Sequence, residues 1–131
     1  MNKIKEISVK TSRKIEFIDI TDRVEDAVEG IEHGIAYVYC PHTTAGLTIN
    51  ENADPAVVKD IIKGLERMVP ENARYDHMEG NSPAHIKASL VGFHQVVFIN
   101  NGRLVLGTWQ GIYFCEFDGP RQRKVFITAL S

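Results

Sequence analysis

Apolar and polar residues alternate from Ile4 to Val9 and again over Ile15-Glu16-Phe17-Ile18-Asp19-Ile20, the period-two pattern of half-buried β-strands. Arg13-Lys14 lies between the two runs, which predicts an antiparallel pair. Thr21 can cap a short helix over Asp22 to Glu29, with acids in the first turn where the helix dipole favours them. Gly30 and Gly34 punctuate the chain, Gly34 to Cys40 reads as a buried strand, and Leu47-Thr48-Ile49 as a short one.

The pattern then changes period. Val58, Ile61, Ile62, Leu65 and Val69 recur at helical spacing behind Asp54-Pro55, an N-cap acid followed by proline at the first helical position. Pro70 ends this helix, which predicts an element covering the core. Ser82-Pro83 is a second start of the same kind, and Gly92 closes a helix over Ala84 to Val91. Strands follow over His94 to Ile99, Arg103 to Leu106, Thr108 to Phe117 and Lys124 to Leu130. Asn100-Asn101-Gly102 joins the first two as a hairpin turn, since Asn-Gly supplies positive φ. Hairpins outnumber crossovers, so the fold class is α+β with a largely antiparallel sheet and two to three helices.

Composition narrows the function classes. The 131 residues predict one domain, residues 1–131, large enough for a real core. With 24% charged residues and a net charge of -2, the chain has no electrostatic footprint for nucleic acid or an anionic membrane. No apolar run approaches the roughly 20 residues needed to span a bilayer. Met1 to Glu6 has no apolar signal region, so the expected location is cytoplasmic. The two cysteines, Cys40 and Cys115, lie in apolar runs and read as buried free thiols. Cys40 is two residues from His42, which leaves a metal-ligand role open.

Candidate chemistry gathers in Pro41 to Asp54, a polar stretch between a core strand and a helix start. It contains His42, Thr43, Asn50, Glu51, Asn52 and Asp54. Of five histidines, His33 reads as solvated and His94 as a strand residue, whereas His42, His77 and His85 sit on polar loops or helix starts. Three neutral imidazoles with an open position suit a catalytic Zn²⁺, although their spacing matches no helical metal motif. Glu51, with no structural task apparent in the sequence, is a candidate general base or Mg²⁺ ligand, and Glu79 is placed beside His77. Asn81 and Ser82 precede a helix N-terminus that can receive a phosphate, and Arg121 or Arg123 can hold one by a bidentate contact. The only tryptophan, Trp109, is either core or a stacking wall beside Gln110.

Three segments, HTTAGLTINENADP, YDHMEGNSPAHIKASLVG and LVLGTWQGIYFCEFDGPRQRKV, together resemble the YjbQ family (UPF0047), labelled secondary thiamine-phosphate synthase. The resemblance runs over nearly the whole chain. It implies a β-sandwich of two sheets with helices alongside, assembled as a homotrimer. It also implies one site containing His42, Asn50, Glu51, Asn52, Asp54, His77, Glu79, His85, Trp109, Gln110 and Arg121, with His42, His77 and His85 suited to a metal. The expected catalytic residues are Glu51, Glu79 and Asn50. Thr43, Asn52, Asp54, Asn81, Ser82, Trp109, Gln110 and Arg121 are the expected substrate contacts. Thiamine-phosphate synthesis joins a pyrimidine pyrophosphate to a thiazole phosphate, so the expected partner is a small phosphorylated or heteroaromatic metabolite and the expected cofactor a divalent metal, Zn²⁺ or Mg²⁺. Alternatives are a Zn²⁺-assisted hydrolase and a non-catalytic trimeric metabolite-binding protein.

Overall fold

The computed structural model describes residues 3–131. Its elements are β1 (Lys5–Lys10), β2 (Glu16–Asp19), α1 (Thr21–Ala27), β3 (Gly34–Tyr39), β4 (Ala45–Glu51), α2 (Pro55–Met68), α3 (Ser82–Val91), β5 (His94–Asn100), β6 (Arg103–Leu104), β7 (Gln110–Glu116) and β8 (Gln122–Leu130). They form the expected α+β architecture. Five strands make one sheet in the order β1-β8-β3-β5-β6, three make a second in the order β2-β7-β4, and every pairing is antiparallel.

The inward residues of both sheets meet in one core. Val9, Ala36, Val38, Val97, Val125 and Ile127 come from the larger sheet, and Leu47, Ile112 and Phe114 from the smaller. Ile20 and Val24 of the α1 region join the same core. A second cluster forms on the opposite face of the smaller sheet, where Ala84 and Ala88 of α3 pack on Tyr113, Cys115 and Phe117. Small residues let the helix come close: a Cβ added to Gly46 would lie 2.6 Å from the Gly92 carbonyl oxygen. Through that contact α3 carries His85 to the end of the sandwich where β3 hands over to β4.

The structure departs from the local sequence pattern in several places. β1 and β2 do not pair with each other: β1 lies against β8 and β2 against β7. The Thr11–Ile15 connection turns the chain from one sheet to the other, anchored by the Thr11 N–H donating to the Arg121 carbonyl (3.0 Å) and by Glu16 accepting from Ser12. Thr21 does not cap α1. Asp19 accepts from the Thr21 N–H and hydroxyl, while Thr21 Oγ1 accepts the Ile112 N–H. β4 is longer than Leu47–Ile49, and the strand expected from Thr108 begins at Gln110. The Asn101-Gly102 turn is as expected, with φ of 52° and 75°. No helix among the described residues is long and apolar enough to cross a membrane.

Candidate functional site

At the β3–β4 end, one open polar cavity of about 470 Å³ brings together Pro41, His42, Thr43, Thr44, His77, Glu79, Asn81, His85, Arg121 and Arg123. Four parts of the chain build it. The loop after β3 supplies His42 and Thr43, the segment before α3 supplies His77, Glu79 and Asn81, the first turns of α3 supply His85, and the chain entering β8 supplies Arg121 just before the strand and Arg123 within it.

His77 and His85 form the closest pair, with ring centroids 5.4 Å apart and planes at 84°. Glu79 Oε1 lies 3.9 Å from His77 Nε2. His42 faces them with a different commitment, because its Nε2 accepts the Lys124 N–H at 3.0 Å. That contact uses the lone pair a metal would need and puts the ring proton on Nδ1. Burial, reinforced by the Arg123 charge, lowers the His42 pKa below its ordinary 6.5, so the ring is neutral near pH 7.

Behind these groups runs a connected polar wall. Asn81 Nδ2 donates to Glu79 Oε2 (3.2 Å) and to Asp118 Oδ2 (2.9 Å), and its Oδ1 is buried with no partner among the described residues. Asp118 also accepts from Arg121 Nη2 at 3.0 Å. Burial works against the Asp118 charge, but the hydrogen bonds from Asn81 and Arg121 prevail and hold its pKa below the usual carboxylate value. Deeper still, Arg123 donates from Nε and Nη2 to the fully buried Glu116, and from Nη2 to Thr44 Oγ1 (2.9 Å). Thr11 and the Asp118 N–H complete the shell, and together these donors overcome the burial that would raise the Glu116 pKa.

The residues expected to form one site divide into two groups. His42, Thr43, His77, Glu79, Asn81, His85 and Arg121 line the cavity, and Ser82 opens α3 beside it. Asn81, not Ser82, occupies the N-cap position, and its backbone carbonyl accepts the N–H groups of Ala84 and His85. Asn50, Glu51, Asn52, Asp54, Trp109 and Gln110 lie at the other end of β4 and β7, where Glu51 pairs with Gln110. Seven residues of β4 at about 3.3 Å each put roughly 20 Å between the two groups within one chain. The second group is occupied with its own turns. Glu51 accepts the Asp54 N–H, so it does have a structural task, and Asp54 caps α2 through the Ala56 N–H. Asn52 bonds Asp19 and the Trp109 carbonyl, and Gln110 accepts from Gly107. Trp109 is 62% exposed, so it is neither core nor part of the cavity wall.

Arg123 is correspondingly unavailable as a phosphate clamp, whereas Arg121 remains half exposed. Cys40 turns inward to the Ala45 carbonyl, and burial pushes its thiol pKa up to about 11, so it belongs to the core. Glu116 and Asp118, a carboxylate pair visible in the sequence without an assigned role, support the site from behind, and Thr44 joins them by accepting from Arg123. Among the described residues no group of three or more His, Cys, Asp or Glu side chains is arranged as it stands to hold a metal. The donor set itself fits a borderline-soft ion in part: two adjacent imidazoles and one carboxylate.

The sandwich, its α3 layer and a histidine-bearing cavity at the strand ends define a small α+β protein with a polar site on loops. Residues 5–131 match the model of the family described as UPF0047 protein YjbQ-like, and the chain belongs to that family. It is 55% identical to the UPF0047 protein YugU of Bacillus subtilis over 127 residues, covering 95% of this chain and 96% of that one. A UPF0047 protein of Methanocaldococcus jannaschii is 52% identical, with 91% and 88% covered. A crystal structure of a YjbQ/UPF0047 family protein from Clostridium acetobutylicum superposes with a TM-score of 0.94 at 58% identity, covering 96% of this chain and 99% of that one. A Sulfolobus solfataricus structure, described as a YbjQ-like protein of unknown function, gives 0.94 at 34% identity, with 98% and 96% covered.

Proposed function

We propose that this chain is a small metal-dependent enzyme acting on a phosphorylated metabolite in the His42–His77–His85 cavity. The observation that carries the reading is the approach of the His77 and His85 rings to 5.4 Å, with Glu79 and Arg121 on the same cavity. His77, His85 and Glu79 would hold the metal, and the imidazole donors favour Zn²⁺ over Mg²⁺. His42 would join them only by releasing the Lys124 amide. The metal would supply a Lewis acid for a phosphoryl or leaving-group oxygen. Arg121 would bind the anion beside the N-terminus of α3. Asn81 Oδ1 would accept a hydrogen bond from the substrate.

Thiamine-phosphate synthesis is the named activity to test first. Its substrates supply two phosphorylated groups for Arg121 and the helix start. A Zn²⁺-assisted hydrolase is the second reading, favoured by the imidazole donors and by the distance of Trp109 from the cavity, which leaves one chain without a stacking wall. We also propose a homotrimer as the working assembly. Tyr39, Val96, Phe98 and Leu130, all exposed on the outer face of the larger sheet, support an interface there.

Zinc-loaded protein incubated with the pyrimidine pyrophosphate and thiazole phosphate, and separately with simple phosphate esters, tests the reading. Chelator-sensitive turnover of one set, lost in His85→Ala, is expected. Full turnover in His85→Ala would overturn it.

A further inference from the structure

The strongly amphipathic α2 has no fully buried residue. Val58 and Leu65 reach the second core cluster only in part, and beneath the helix a separate groove of about 340 Å³ remains open. Ile15, Phe17, Val58, Ile62 and Tyr113 contribute apolar surface to it. Its charged lining residues are Arg13, Lys59 and Glu16. Glu16 spends its two carboxylate oxygens on the N–H and hydroxyl of Ser12. Arg13 and Lys59 form no ion pair among the described residues. A slot with apolar walls, two cations in no ion pair and one carboxylate already hydrogen-bonded to Ser12 carries a net positive charge. It has the chemistry of a site for an amphipathic anion, the apolar walls setting affinity and the charge setting orientation.

We propose that this groove binds a small organic carboxylate whose acyl or aryl body lies under α2 and whose head meets Arg13 and Lys59. The site is distinct from the histidine cavity, so the proposal stands apart from the activity proposed there. Val58 and Ile62 of α2, half buried in the free chain, become further covered when the acid is bound.

Titration of octanoate into the full chain by calorimetry tests this, with butanoate and octanol as controls. Saturable binding of one octanoate per chain is expected, with a Kd below about 1 mM. Butanoate should bind at least about tenfold more weakly because four methylenes leave the walls. Octanol, which lacks the charge, should also bind more weakly. Ile62→Trp fills the groove and should abolish binding. Lys59→Glu, at an exposed position that leaves folding untouched, should weaken it about fivefold or more. Absence of saturable binding, or equal binding by wild type and both variants, would overturn the proposal. Self-association that disappears in Ile62→Trp, without octanoate binding, would also overturn it by giving the groove to a second copy.

Discussion

Glu116 carries its charge in the interior of the sandwich, where four donors face it: the Thr11 hydroxyl, the Asp118 N–H, and Arg123 Nε and Nη2. Glu116→Gln leaves the Arg123 guanidinium buried without a counter-charge and should cost about 3–5 kcal/mol in urea unfolding. Replacing both partners, as Glu116→Leu with Arg123→Met, should cost much less than the sum of the single changes. Three groups near the cavity then set the response to acid. The pKa values of Glu116 and Asp118 are lowered from 4.5 and 3.8, so the stability they contribute is whole above those values and is lost as pH falls through the lowered ones. The His42 pKa is lowered from 6.5, so the unfolded chain takes up that proton first and stability begins to fall below about pH 6.5. Urea midpoints across pH should decline in these two stages, and His42→Gln should remove the upper one. At this scale the histidines, Glu79 and Arg121 are legible because loop position and residue type suffice. The inward direction of Arg123 has a signal in the alternation Arg123, Val125, Ile127, Ala129, which puts a cation on an apolar register. Glu116 as its partner is not legible, since the two strands lie in different sheets.

Elements repeat the same lesson. The Asn101-Gly102 hairpin and the Asp54-Pro55 helix start are written in four or five adjacent residues, and both form as expected. The pairing of β1 with β8 joins residues more than a hundred positions apart, and local alternation points instead to the neighbouring run. Alternation reports which face is buried and says nothing of which strand lies alongside. Gly46 is another long-range requirement. Gly46→Ala would set a methyl 2.6 Å from the Gly92 carbonyl oxygen and should destabilise the fold by about 1–3 kcal/mol, measured by urea unfolding. The same change should displace α3 and His85 with it, weakening any metal bound in the cavity.

Across the whole molecule, the family motifs bring two polar groups to opposite ends of β4 instead of one. One chain therefore assembles a histidine cavity without the Asn50–Gln110 group, and sequence order alone gives no hint of this separation. The apolar outer face of the larger sheet should be covered by self-association, so sedimentation at micromolar concentration should report a trimer. Phe98→Glu, at a residue 65% exposed in the free chain, should yield folded monomers. Metal binding in the cavity would depend on His77 and His85. Zinc titrated into metal-free wild type and His85→Ala, followed by calorimetry and elemental analysis, tests it without reference to any substrate. One zinc per chain is expected in the wild type and at least about a hundredfold weaker binding in the variant. A wild type that binds no zinc, or a variant that binds it equally well, would contradict it.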